Sequence, residues 1–443
     1  MASFRLSTSL FAQLLIYLLL LVELLLFTRF RAGMGAYLSP VVLYLTSVTA
    51  CVSFYLYARY RPWPVPEAAH PRPKARQTWT RFLALLVATT VGIWVSTTEI
   101  RHIVRDFIIN IKYSDVIPAL KIFVTRWLVG AEVYTPLTWE MGYLDLPTYL
   151  PATWFPFVIA EQTGLDYRIL AWSIFVLGCG SYAMVLWRRQ LAWLPTLVLA
   201  LVPFLSIYLM QLTDPSSFGL TVETLIIGYY SLLISGILLR SWSLVLIGLL
   251  ACLLSRYSLV FWVPLLLGMM FFQDSRRRVL LLAGALLIGV LLLYIVPFLS
   301  HDWTMPGQVQ AYYTMAAVGE WVHLNENGLP LHLYNGVGMA PFFYKYASGS
   351  TLEKMMLLKA VHVILLLAIV TGAGLLYWRQ RSPRMNYQLY AVVVLKLYLA
   401  TFYAFVQVPY TYLAMVGVFT SVFMVLMLSA TSVRAAVLVE PDQ

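Results

Sequence analysis

Long apolar runs constrain this chain more than any other feature. About 20 consecutive apolar residues, wound as helix, match the ~30 Å hydrocarbon core of a bilayer. In lipid, every backbone N–H and C=O must be satisfied within the segment, which favours helices. Such runs occupy residues 8–28, 38–58, 82–100, 167–187, 192–212, 218–239, 279–299, 356–378, 386–406 and 410–431. The chain is 61% hydrophobic and 11% charged, with a mean hydropathy of +0.80, whereas roughly 25% of residues are charged in soluble domains. The fold class is an all-α polytopic membrane protein.

Segment 241–275 is long for one crossing and short for two. Arg240 stands at one end and Arg276-Arg277-Arg278 at the other, which places both ends on the cytoplasmic side. Ser255-Arg256-Tyr257-Ser258 is then the tip of a hairpin near the outer side. The expected total is about 12 transmembrane segments with both termini cytoplasmic, in the plasma (inner) membrane. Seventeen of the 30 Lys and Arg fall in the cytoplasmic stretches, against the acids Glu67, Asp274, Glu440 and Asp442. Arg29 and Arg31, on an outer turn, depart from the rule and are accommodated by snorkelling. The net charge of +11 is thus assigned to topology and not to nucleic acid. Cys51, Cys179 and Cys252 lie inside apolar runs, too dispersed for a disulfide framework or a zinc site. The first run is too long for a signal-peptide core, and Thr28-Arg29-Phe30-Arg31 offers no small-residue cleavage site, so it reads as a retained helix.

The expected organisation is a two-helix N-terminal extension (1–60), a cytoplasmic Pro/Arg-rich linker (61–81), a transmembrane body (82–434) and a cytoplasmic tail (435–443). No internal repeat stands out, which weighs against a transporter built from inverted halves. Two long connections, 101–166 and 300–355, fall on the outer side. The stretch Glu99–Asp166 holds eight of the 19 acidic residues, more than a segment that merely joins helices requires. Within it, Pro118 suits a first helical turn. Ile117, Leu120, Val124, Trp127 and Leu128 follow at helical spacing, with Arg126 opposite and Gly130 as a stop. This predicts an interfacial helix with Asp115 at its N-terminal end, where the helix dipole favours a charged carboxylate. An N-cap is the plain alternative for Asp115.

Asp115 ahead of a short helix is followed by Gly130, Val133-Tyr134-Thr135-Pro136, Tyr149-Leu150-Pro151, Phe155-Pro156 and Gly164. This order of residues resembles the first external loop of GT-C glycosyltransferases, most of all the mannosyltransferase-like branch that uses polyprenyl-phosphate sugars. The resemblance spans roughly residues 82 to 430 and consists of positions more than a sharp signature. It implies that Asp115 is the catalytic carboxylate. It also implies inverting transfer of a hexose or pentose from a polyprenyl-phosphate donor to an extracytoplasmic lipid or glycan acceptor. Val116-Ile117-Pro118 stands where the family often has aromatic residues, and two helices precede the loop, which separates the chain from typical subfamilies.

The residues suit that chemistry. A carboxylate within hydrogen-bond reach can take the proton of an attacking hydroxyl. A phosphate leaving group needs charge stabilisation, which Arg and Lys provide. Arg256, inside an otherwise apolar segment, requires an anion or a wet cavity and is the first choice for the donor phosphate. Lys345 and, more weakly, Arg126 and Lys121 are further cations. Asp145, Tyr134, Tyr149, His301, Trp303 and His323 are the candidates for holding sugar or acceptor, since aromatic faces stack on rings while polar groups read hydroxyls. The plain alternative for the aromatics is an interfacial belt. No HxxxH or facial-triad spacing occurs, so neither a metal nor another cofactor is expected. Membrane lipids are the other expected contacts, and a monomer is expected. Two competing readings stay open. One is a polyprenyl-diphosphate-glycan ligase or polymerase, which also uses a large late external loop; the other is a transporter or flippase, prompted by Glu23, Glu223 and Lys396, which interrupt apolar runs.

Overall fold

The computed structural model describes residues 2–58, 75–143, 145–326, 328–380 and 386–437. Most of the linker expected at 61–81 and the end of the tail expected at 435–443 lie outside the described residues. Among the described residues the chain is helical, with no strand beyond an isolated bridge between Leu324 and Pro330. Eight runs are long and apolar enough to cross a membrane: Leu10–Ala58, Arg76–Asp106, Tyr167–Trp187, Trp193–Thr213, Arg276–Leu299, Thr351–Gln380, Tyr387–Ala404 and Thr411–Ser429. Three shorter apolar helices, Glu223–Leu239, Trp242–Leu253 and Trp262–Gln273, pack among them. Apolar side chains on the outer surfaces of the long runs remain bare, including Phe11, Trp94, Leu177 and Leu281. Such a surface is a liability in water and the ordinary one in lipid. The protein is an all-α multi-pass membrane protein.

The first run folds back on itself. Gln13 bonds to Tyr57, and Ser47 donates to Glu23. Both pairs are symmetric about residue 35, where Gly35 adopts φ 72°, a value open to glycine at little steric cost. The helices Ala2–Leu25 and Arg31–Ala58 are therefore antiparallel, and they pack into the rest of the chain. Tyr44 bonds to Thr401 at 3.2 Å and Tyr37 to Tyr334 at 2.7 Å. At the centre of this junction Lys396 donates to Glu23 at 2.5 Å and to the Gly417 carbonyl at 2.6 Å, and Ser421 also donates to Glu23.

The Glu223–Leu239 helix is the keel of the bundle, buried over nearly all its length. Glycine lets its neighbours approach to backbone contact. A Cβ on Gly178 would lie 2.9 Å from the Gly228 carbonyl oxygen, and one on Gly248 would lie 2.6 Å from the Leu233 Cα. Close packing of this kind holds helices together where lipid removes the hydrophobic drive.

Connections gather at two ends of the bundle. At the basic end, Arg81 donates to the Trp187 carbonyl at 2.8 Å, Gln388 to the Ile237 carbonyl at 2.6 Å and Tyr387 to Asp274 at 2.5 Å. At the other, the loop end, the two long connections meet the short turns. Segment 241–275 forms the hairpin read from its charges, two 12-residue helices joined at 254–261, and its tip belongs to the loop end. There Thr153 donates to the Ser255 carbonyl at 2.9 Å and Tyr229 to the Ala152 carbonyl at 2.9 Å. Arg168 ties the loop end together by donating to the carbonyls of Val104, Phe107 and Gly219 and to Asp166.

Several element ends differ from the sequence reading: the third helix begins at Ala75, inside the expected linker, and the second long connection ends where a helix begins at Thr351. The helix expected to stop at 100 continues to Asp106, so the first long connection starts at Phe107. The run expected at 218–239 is broken into Pro215–Gly219, capped at its start by Asp214 accepting from the Ser217 N–H, and Glu223–Leu239, at whose start Thr221 Oγ1 accepts from the Glu223 N–H.

Candidate functional site

The turn 110–115 presents Asp115. Asn110 accepts from the Lys112 N–H, Ser114 donates to the Leu220 carbonyl, and the Val116 N–H reaches Ser114 Oγ at 3.3 Å. Ser114 thus takes the local backbone contact. The Asp115 side chain makes no capping hydrogen bond to the Val116–Leu128 helix that follows, so the plain N-cap role does not account for it. Its carboxylate is exposed at the mouth of the loop end and receives a long hydrogen bond, 3.5 Å, from Tyr143 Oη.

The helix after Asp115 has the expected amphipathic character. Its apolar face, Val116, Ile117, Ala119, Leu120, Phe123 and Val124, is buried and packs against the helices Pro151–Trp154 and Phe157–Thr163. This protein-facing contact brings Tyr149 and Asp145 back beside Asp115. Asp145 is pushed up from 3.8 to about 6, first by burial and then by the neighbouring charge of Asp115, while a hydrogen bond from Tyr312 opposes the rise. Tyr312 belongs to the Met305–Val322 helix of the second long connection. Burial and the charges of Asp145 and Asp115 push its hydroxyl up to about 12. Both long connections therefore contribute to one mouth.

Arg256 stands at the hairpin tip. Its Nη1 donates to Glu223 Oε1 at 2.9 Å and its Nη2 to Glu223 Oε2 at 2.5 Å, with Tyr403 Oη 3.4 Å from Nη1. Tyr149 and Tyr412 each lie within reach of the charges of both Asp115 and Arg256, and Tyr313 within reach of Arg256. Tyr412 stacks on Tyr410 with centroids 5.6 Å apart, and Tyr410 meets the His332 ring at 5.1 Å. His332 Nε2 is 3.6 Å from Glu320. At this mouth the loop end thus gathers the carboxylates Asp115, Asp145 and Glu320, a set of tyrosines and the Arg256 guanidinium.

Four of the residues singled out from sequence come together here: Asp115, Asp145, Tyr149 and Arg256. The others have different surroundings. Arg126 donates to Glu140, Thr135 Oγ1 and the carbonyls of Val133, Thr135 and Pro136, so it folds the loop with groups a phosphate would need. Tyr134 is buried, donates to the Tyr149 carbonyl at 2.8 Å and accepts from Trp154 at 3.2 Å. Lys345 lies over the rings of Tyr37 and Tyr346, 5.2 and 5.3 Å from their centroids, at the junction with the N-terminal hairpin. His301, Trp303 and His323 project into solvent. Sequence reasoning missed Tyr143, Tyr403, Tyr410 and Tyr412 as site residues. The last three sit at the ends of apolar runs, where aromatic residues read as an interfacial belt.

Among the described residues no three of His, Cys, Asp and Glu gather as a metal site. No protein-family profile, no curated protein and no solved structure matches the chain.

Proposed function

We propose that the protein is an integral-membrane glycosyltransferase of the GT-C type, taking a sugar from a polyprenyl-phosphate donor to a lipid or glycan acceptor. The observation that carries this reading is an uncapped carboxylate, Asp115, gathered with Asp145, several tyrosines and Arg256 at the loop end. In the proposed reaction the acceptor hydroxyl oxygen attacks the anomeric carbon and its proton passes to Asp115. The bond from the anomeric carbon to the phosphate oxygen breaks, and its electron pair stays on the lipid phosphate. A single displacement of this kind inverts the anomeric centre. Arg256 is assigned to the phosphate, where a fixed guanidinium stabilises the growing charge. Asp145, Tyr149, Tyr312 and Tyr313 line the space for sugar and acceptor.

The basic end of the bundle is assigned to the cytoplasm by its arginines, which puts the mouth outside and gives 12 crossings once the hairpins are counted. A second reading, a transporter, draws on the Glu23–Lys396 pair in the bundle core, since buried ionisable groups in membrane segments commonly serve transport. The two separate by product and by dependence on an ion gradient. The transferase forms a covalent product from a radiolabelled polyprenyl-phosphate sugar in detergent, with no ion gradient. A transporter forms none and stops when the gradient collapses. Unchanged product formation by Asp115→Asn would remove the base assignment and favour the ligase or polymerase alternative.

A further inference from the structure

The transfer proposed above changes the charge on the lipid. The donor is a phosphodiester with one negative charge, and the lipid phosphate left behind is a monoester that carries two above its second pKa of about 6. The groups whose fields meet Arg256 come from every element around it: Glu223 and Tyr230 from the keel helix, Tyr403 and Tyr412 from the last helices, Tyr313 from the second connection and Tyr149 from the first. Glu223 is the one carboxylate in this set, and it is bound to the guanidinium bidentately.

The contact leaves a defined part of Arg256 open. Guanidinium has five N–H groups in a rigid fork. Glu223 takes one from each terminal nitrogen and Tyr403 approaches the other on Nη1. Among the described residues nothing accepts from Nε–H or the second N–H of Nη2, and these two lie parallel on one edge of the fork, the spacing that two phosphate oxygens accept. The Glu223 side chain is 1% exposed and that of Arg256 23%, so the carboxylate lies behind the guanidinium and the cation fronts the mouth. We infer that Glu223 is a built-in counter-charge that makes Arg256 a seat for a singly charged phosphodiester and a poor one for the doubly charged phosphomonoester that transfer releases. The inference rests on the transferase reading. With Glu223 in place the pair is neutral overall, so a second phosphate charge gains little from Arg256 and is repelled by the carboxylate behind it. At an effective dielectric of ~20, a full charge at that range alters binding by about tenfold or more. Glu223 is thus a positioning residue that also favours departure of the spent lipid.

The test compares farnesyl phosphate with farnesyl methyl phosphate, the same lipid with one charge fewer, binding to purified full-length protein in detergent at pH 8 by calorimetry. Wild type is expected to bind the diester at least as tightly as the monoester. Glu223→Gln is expected to move the ratio about tenfold or more toward the monoester, and Arg256→Gln to abolish binding of both. Glu223→Asp keeps the charge and is expected to keep the wild-type ratio, which a purely structural role would not require. A wild-type preference for the monoester of about tenfold, or a ratio unmoved in Glu223→Gln, overturns the counter-charge. The wild-type ratio decides by itself if the variant does not fold. Product formation with an unmoved ratio overturns this inference alone, whereas failure of wild type to bind either lipid overturns the transferase reading with it.

Discussion

Asp115 and Asp145 are neighbouring carboxylates whose surroundings divide them. Asp115 is exposed and uncapped, while Asp145 is partly buried and pushed up to about 6. In the proposed reaction only the first takes the proton, so Asp115→Asn is expected to lower turnover by about 10²–10⁴-fold with little loss of donor binding. Single-turnover measurement with a labelled donor checks both. Asp145 makes a separate prediction about stability. Its folded pKa is raised, so the folded state holds the proton more tightly than the unfolded chain. Stability is therefore lost as pH rises from about 4 to about 6, and the penalty stays constant above that window. Asp145→Asn removes it and is expected to stabilise the protein by about 1–2 kcal/mol at pH 8, after allowance for partial exposure. The gain should vanish near pH 4, as thermal unfolding in detergent at the two pH values would reveal. Equal gains at both would contradict the assignment.

Helices and their junctions carry the next scale of argument. The Glu23–Lys396 pair joins the N-terminal hairpin to the Tyr387–Ala404 helix, and both side chains are fully buried. Removing one partner of such a pair strands a charge and costs about 3–5 kcal/mol, whereas replacing both by apolar residues is often close to neutral. Lys396→Met is therefore expected to lower the unfolding midpoint sharply, and Glu23→Leu with Lys396→Met to recover most of the loss. A double mutant no better than the single would mean that the pair has a further role. Sequence showed that Glu23, Glu223, Arg256 and Lys396 were costly residents of apolar runs, but not which acid met which base. Pairing across 373 positions, as between Glu23 and Lys396, depends on helix neighbours that periodicity does not encode. The runs themselves and the 241–275 hairpin were legible because length and terminal charge determine them. The position of Asp115 at the start of the Val116–Leu128 helix was legible from its place before Pro118. The use of Arg126 was not, because three of its partners are backbone carbonyls, which leave no mark on sequence, and no spacing rule singles out Glu140 and Thr135.

For the molecule as a whole, the two long connections lie together at one end of the bundle and the Arg276–Arg278 cluster begins a helix at the other. Cys51, Cys179 and Cys252 are all buried, so the native chain should resist impermeant thiol reagents in oriented vesicles. Cysteine placed at Trp139, which is 95% exposed, or at Trp303, 68% exposed, is expected to label from the same side. Cysteine at Arg277 is expected to label only from the opposite side. Labelling of Trp139→Cys and Trp303→Cys from different sides would dismantle the shared mouth. The crossing of Gly178 over Gly228 has a consequence for how such a mouth can work. It lies little more than one turn below Glu223, and backbone rests directly on backbone there. Backbone locked in this way leaves Glu223, and with it Arg256, little freedom to shift, so in the proposed reaction room for an incoming lipid is expected to come from the Met305–Val322 helix, whose Tyr312 meets Asp145 across the loop end.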